Sequence, residues 1–470
     1  MLRPWKLEIQ LSDKAGKAVY LQIADAIVAD IQSGRLKGGT ALPGSRTMAR
    51  DLQVNRNTIV EALNVLLNEE WLVTRERKGT FVADVFPVIK KSRPASVSPA
   101  PAPAPHYRIS FDDGHPDSKI APIAELARAY RQIFQRKAKW QLMGYGSELG
   151  DAGFRQAIVQ MLNQKRGMQV NEQQLCITRG SQMAMFLTAQ CLLEKDSCVM
   201  VENPGYQPAW KAFRHAGAKV LPVRVDAEGL VIADVEAHLR SGQHIKALYT
   251  TPHHQYPTTV TLSLQRRLEL IRLSNQHGFT IIEDDYDNEF HFGYRPVLPL
   301  SSYGELKRFA YIGTMSKVVA PALRIGYLAS NVPGLMEKVS ELRKIIDVQG
   351  DAIMEQAVLQ LISDGTIKRH LKKATQYYQS KCANAVALLH KHLRHKASFT
   401  PPDGGLAIWI VPAKAPDWRK VSEKLQAQGI RVITPDAYSC GKTINGLRLS
   451  YGAVSEEQLE EGIKALAALL

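Results

Sequence analysis

Cysteine is scarce here: Cys176, Cys191, Cys198, Cys382 and Cys440 are the only five in 470 residues. They are odd in number, scattered and never spaced as CxxC. That argues against a disulfide framework and a zinc site, and for a reducing, cytoplasmic compartment. No run of about eighteen apolar residues occurs, so no membrane-spanning helix is expected. The opening MLRPWKLEIQ lacks the apolar core of a secretory leader, and none is expected. Acidic excess is also missing: 60 Lys and Arg face 45 Asp and Glu, a net charge of +15. A basic balance suits polyanion partners. Only fifteen Lys and Arg against ten Asp and Glu precede residue 107, so the excess is not gathered in one tail.

What is present divides the chain into three. In residues 12–84, Val19, Ile23, Ala26, Ile27 and Ile31 fall at helical spacing, and Gly34 offers a stop. The turn Leu42-Pro43-Gly44-Ser45 follows, with Ser45 expected as the cap of a short helix carrying Met48, Ala49 and Leu52 inward. Asn55 is placed to cap a third helix with Ile59, Leu63, Leu66 and Leu67 on one face. Helix, short turn, helix is the outline of a DNA-reading module. Arg56, Asn57 and Thr58 open the third helix, where side chains reach base edges, and Arg46 and Arg50 sit where backbone contacts are made. Two short runs, Leu72–Arg75 and Thr80–Val82, flank a basic tip with Lys78 and Gly79, a hairpin wing. Residues 85–106 include KKSRPASVSPAPAPAP, an extended Pro/Ala-rich spacer.

Residues 107–470 alternate β-rich and helical runs, the pattern of an α/β domain with a largely parallel sheet. Ligands of such sheets bind beyond the carboxyl ends of strands. Behind the apolar run ending in Thr178 stand Arg179-Gly180-Ser181, suited to a phosphate at a helix start. ENPGY follows another run and brings Tyr206 to the crevice. TPHHQYPT holds His253 and His254, expected as hydrogen-bonding groups and not as metal ligands, so no metal is expected. EDDYD supplies carboxylates at a strand end. In YIGTMSKVVAPALRIGY, Lys317 lies among apolar neighbours that lower an amine's pKa and favour Schiff-base chemistry. Thr314, Ser316 and Arg324 around it suit a phosphate dianion. GLRLSYG puts Arg448 in a strand, a fork-shaped donor for a carboxylate.

Two resemblances follow from these motifs. LPGSRTMARDLQVNRNTI with the RKGTFV hairpin resembles the winged helix of GntR-family bacterial regulators. That implies DNA contacts by Arg46, Arg50, Arg56, Asn57 and Thr58, with Lys78 and Gly79 at the wing tip. Gly44 and Asn55 depart from the serine and the serine or threonine usual there. The ordered set GYG, TRGSQ, ENPGY, TPHHQYPT, EDDYD, GTMSK and GLRLSYG resembles fold-type-I aminotransferases, which use pyridoxal 5′-phosphate. Joined, the chain is similar to MocR/GabR-type transcription regulators. The resemblance implies that Lys317 carries the cofactor covalently, Asp284 pairs with its ring nitrogen, Tyr286 bonds its phenolic oxygen and Tyr206 stacks on it. Gly180, Ser181, Thr314, Ser316 and Arg324 would hold the phosphate, and Tyr145 would reach it from a partner subunit. Arg448 would grip the carboxylate of an amino-acid-type effector. Thr259 stands where the family often has glycine, a change expected to act on the loop near the ring. The implied assembly is a domain-swapped homodimer on double-stranded DNA, regulated by the cofactor or an amino acid. A working aminotransferase with a secondary DNA-binding module, and a DNA-binding protein whose large domain only dimerises, are the alternatives.

Overall fold

The computed structural model describes residues 9, 11, 16–76, 78–85, 107–135, 139–293, 297–441 and 444–470. The chain divides into two compact units, Met1–Ala104 and Pro105–Leu470. Apart from Val85, the Pro/Ala-rich spacer lies outside the described residues, as does Arg77.

The first unit, the head, runs α1 (Val19–Gln32), α2 (Ser45–Asp51), α3 (Arg56–Asn68), β1 (Leu72–Arg75) and β2 (Gly79–Val82). Ile23, Ile27 and Ile31 form one stripe of α1 and share a core with Ile59, Leu63 and Leu66 of α3. Met48, Trp71 and Val82 complete it. Asn55 caps α3, its Oδ1 accepting the Asn57 N–H at 2.8 Å. Ser45 is not the cap expected for α2. The extended backbone comes one residue earlier, at Gly44, and no side chain caps the helix. The Ser45 hydroxyl instead lies 3.4 Å from Arg56 Nε. The hairpin pairs Leu72 with Val82 and Arg75 with Gly79, and the Arg75 guanidinium covers the Phe81 ring at 4.8 Å.

The second unit, the body, opens with the short strand β3 (Ile109–Ser110) and builds an eight-stranded sheet. Its strands are β4 (Leu175–Thr178), β5 (Cys198–Asn203), β6 (Lys219–Asp226), β7 (Gly229–Leu230), β8 (Ile245–Thr250), β9 (Thr280–Asp285), β10 (Phe309–Thr314) and β11 (Gly326–Ser330). The spatial order is β4-β11-β10-β9-β8-β5-β6-β7. Pairs among β6, β5, β8, β9 and β10 are parallel, while β11 runs antiparallel to both β10 and β4. Strands β4, β9, β10 and β11 are buried along their whole length. Helices therefore cover both faces, and the strands read as apolar runs with no polar alternation. One face packs Leu175, Ile177, Met200, Leu248 and Ile281 against helices, and the other Cys176, Val199, Ala247, Ile282 and Ile312.

A smaller α/β subdomain follows. β12 (Ala397–Phe399), β13 (Ala407–Pro412) and β15 (Leu447–Ser450) form an antiparallel sheet, with β14 (Ile430–Arg431) apart from it. Helices Thr366–Leu393, Trp418–Gln426 and Glu456–Leu469 bury Leu389, Leu425 and Ile463 against this layer. β14 pairs in parallel with β3, matching Ile430 to Ile109. The body thus begins on its own last subdomain, and the residues after β3 pass directly to the region where the two parts meet. No helix among the described residues is long and apolar enough to cross a membrane.

Candidate functional site

The carboxyl ends of β4, β8, β9 and β10 open onto a cleft. Eight expected residues line it: Ser181, Tyr206, Asp284, Tyr286, Thr314, Ser316, Lys317 and Arg324. Lys317 stands in the turn that leaves β10, its ammonium 4.5 Å from the centroid of the Tyr286 ring. Burial pushes its pKa below that of an ordinary lysine, with the nearby Asp287 working the other way. A larger neutral fraction makes the amine a better nucleophile.

Asp284 comes from β9, opposite Ile312 of β10. One of its oxygens accepts the Tyr249 hydroxyl at 2.9 Å. The other, Oδ1, is buried and has no hydrogen-bond partner among the described residues. Burial pushes the carboxyl up to about 7, against the Tyr249 hydroxyl, which lowers it. A buried acceptor left unpaired at a cleft is costly unless a ligand donates to it.

At the other end, Gly180 precedes the helix Ser181–Leu192 with φ 80° and no side-chain cap, which leaves the leading N–H groups for an anion. A Cβ on Gly180 would lie 2.7 Å from Arg324 Nη2, so glycine lets the guanidinium lie flat on the loop. Arg324 donates to the Arg179 carbonyl at 3.4 Å. Thr314 and Ser316 donate their hydroxyls to the Ile325 carbonyl at 3.2 and 3.5 Å, which keeps both near the same end.

Arg448, 1% exposed, lies over the Tyr256 ring at 5.1 Å and donates to the Pro257 carbonyl at 3.1 Å. Its Nε has no hydrogen-bond partner among the described residues. The Tyr286 hydroxyl donates to the His254 carbonyl at 2.8 Å and lies 3.4 Å from Arg448 Nη2. Tyr206 meets Tyr256 edge-on at 5.2 Å. His254 Nδ1 pairs with Asp287 at 2.7 Å, and His253 Nε2 meets the Val297 carbonyl at 2.7 Å. No group of three or more His, Cys, Asp or Glu among the described residues is arranged to hold a metal ion. Tyr145 is 90% exposed and does not line this cleft.

Six lining residues are given no role by the motifs: Asp113, His115, Tyr249, Thr251, Tyr256 and Pro321. Thr251 and Tyr256 belong to the TPHHQYPT motif, and Tyr249 lies at the end of the strand that precedes it. Asp113 and His115 follow a strand of two residues, too short to register as one. In the head, Arg46, Arg50, Arg56, Asn57, Lys78 and Gly79 are exposed and Thr58 is half-buried.

Residues 110–466 match the family described as Aminotransferase class I and II. The chain belongs to that family. Residues 19–82 match Bacterial regulatory proteins, gntR family, and the two together give a MocR-type architecture. A probable rhizopine catabolism regulatory protein MocR of Rhizobium meliloti is 28% identical, over 97% of this chain and 94% of the relative. An uncharacterised HTH-type transcriptional regulator, YdfD of Bacillus subtilis, is 27% identical over 96% of each. Among solved structures, an archaeal alanine:glyoxylate aminotransferase superposes with a TM-score of 0.72 at 27% identity, over 77% of this chain and 90% of its own. The part left over in this chain is the gntR-type head.

Proposed function

We propose that the chain is a cytoplasmic transcription regulator in which a DNA-binding head, residues 12–84, is joined by the spacer 85–106 to a body, residues 107–470, that holds pyridoxal 5′-phosphate and senses an amino-acid-type effector. The observation that carries the reading is the unpaired Oδ1 of Asp284 in the same cleft as a lysine of lowered pKa. Such a carboxylate suits the protonated ring nitrogen of a pyridine cofactor, and Lys317 suits its aldehyde. Ser181, Thr314, Ser316, Arg324 and the backbone at Gly180 suit its phosphate, with Tyr206 and Tyr286 on the ring. When bound, the cofactor supplies an electrophilic carbon and an electron sink for amine chemistry. The chain's own residues do the rest. Arg448 orients the effector carboxylate, Lys317 takes up or releases a proton at Nζ, and Asp284 holds the ring nitrogen protonated.

Full-length regulators similar to this chain support the pairing of the two parts. In the head, Arg46, Arg50, Arg56, Asn57, Thr58, Lys78 and Gly79 take the DNA contacts. Large apolar side chains left exposed, Trp140 at 74%, Tyr145 at 90% and Ile345 at 81%, support a homodimer in which Tyr145 serves the partner's cleft. Domain swapping is part of the same proposal.

The wild type incubated with pyridoxal phosphate is expected to gain the visible absorbance of a lysine-bound cofactor, and Lys317→Ala to lack it. A colourless wild type overturns the proposal. An operator shift assay at fixed salt then reads whether amino acids change DNA affinity. The intact residue set also equips the body for transamination. Turnover of about 1 per second or more would favour that second reading.

A further inference from the structure

We infer that the cleft selects an amino acid whose side chain ends in an amine or guanidine, and that Asp113 is the residue that recognises this second cation. The inference rests on the reading above, in which the cofactor engages Lys317 and Arg324, and Arg448 takes the effector's carboxylate.

After β3 the chain crosses the mouth of the cleft, and Asp113 and His115 join its lining. This segment is held in shape. Asp112 Oδ1 accepts the Gly114 and His115 N–H groups at 2.9 and 3.0 Å. The Asp117 N–H donates to the Tyr378 hydroxyl at 2.8 Å. Gly114, at φ 87°, lies against the effector-side arginine: a Cβ there would sit 3.4 Å from Arg448 Nη2.

Lys317, Arg324 and Arg448 are taken up by the cofactor and the effector carboxylate in the proposed complex, and the acidic side chains around the cleft are matched in turn, with one exception. The His115 ring lies 2.9 Å from Asp112, and His254 holds Asp287 at 2.7 Å. Asp284 has Tyr249 on one side and, in the proposed complex, the cofactor ring on the other. Among the described residues, Asp113 has the neutral hydroxyl of Tyr256 as its hydrogen-bond partner and no ion-pair partner. Asp113 favours the charged forms of Lys317 and His115, but the Lys317 amine is committed to the cofactor and the His115 ring is held by Asp112.

Tyr256 sets the spacing. The Arg448 guanidinium lies over its ring and Asp113 holds its hydroxyl end. A ligand with its carboxylate at Arg448 and a terminal ammonium at Asp113 spans one tyrosine side chain, the scale of a short diamino acid. An apolar side chain would leave Asp113 without a counter-charge, and an acidic one would be repelled. Discrimination thus comes from penalties on wrong ligands as well as from the new ion pair. A partly enclosed cleft makes that difference larger than in bulk water.

The test uses the full-length protein loaded with pyridoxal phosphate, followed by cofactor absorbance and thermal shift. It is titrated with 2,4-diaminobutyrate and ornithine, with their uncharged isosteres norvaline and norleucine, and with glutamate. In at least one pair the diamino acid is expected to bind about tenfold more tightly than its isostere, with glutamate weaker than either. Asp113→Asn is expected to bring that ratio close to one without weakening the isostere. Equal or tighter binding of both isosteres, or of glutamate, by the wild type overturns the inference whether or not the variant folds. A ratio that survives Asp113→Asn also overturns it. A wild type that never develops the cofactor band fails at the underlying reading. A band without a preference for the amine sinks this inference alone.

Discussion

Thr259 carries strain that its neighbours hold in place. Its φ is 63°, in the left-handed region that glycine tolerates and a β-branched residue does not. Its N–H donates to the Gln255 carbonyl at 2.7 Å, and the Gln255 side chain bonds Glu202, Pro204 and Thr258. The sequence reading expected the missing glycine to act on this loop. The loop keeps a glycine-type turn, and threonine bears the cost. Thr259→Gly is predicted to raise stability by roughly 0.5–1 kcal/mol, the relief of strain less the entropy of glycine, read as a shift in urea midpoint. Asp284 gives a second prediction. Burial moves its pKa from 3.8 to about 7, so the cofactor-free fold binds this proton more tightly than the unfolded chain does. Stability from this group is therefore greatest at acid pH and falls as pH rises from about 4 to about 7. Asp284→Asn should remove that slope, on the order of a few kcal/mol across the window, leaving variant and wild type close near about pH 4.5 and the variant ahead near about pH 7.5. Urea unfolding of the cofactor-free protein at the two pH values checks it. Lys317, Asp284 and Arg448 were legible because each rides on or just after an apolar strand. Asp113 was not, because β3 is completed by Ile430, more than three hundred residues away in sequence.

At the scale of elements, the turn between β4 and the helix Ser181–Leu192 depends on close backbone approach. Gly180 lies under Arg324, and a Cβ on Gly326 would lie 2.7 Å from the Ser181 nitrogen. The sequence put Gly180 and Ser181 at a strand–helix turn, but it could not show that β11 presses a second glycine against the same turn. Gly180→Ala is predicted to displace the guanidinium and weaken pyridoxal phosphate binding by at least about tenfold in an absorbance titration. The head was easier to read: its helices announce themselves by spacing, and Asn55 caps α3 as expected. The miss at Ser45 was one of position, since extended backbone at Gly44 moves the start of α2 by one residue.

At the scale of the whole molecule, each unit has a core of its own. The division was legible because a run rich in proline and alanine can build neither ladder nor core. The order of the body's subdomains was less so, since an antiparallel β11 inside a parallel sheet and a first strand paired to a late one are long-range choices. That late pairing has a consequence for synthesis. Contacts of the head are complete once its first hundred or so residues have left the ribosome, whereas β3 stays unpartnered until Ile430–Arg431 emerges. A nonsense mutation between the end of the head, Ala104, and Ile430 should therefore release a protease-resistant head trailing a body that never closes. Limited proteolysis of such a product checks this, and a resistant body of near-native size would contradict it.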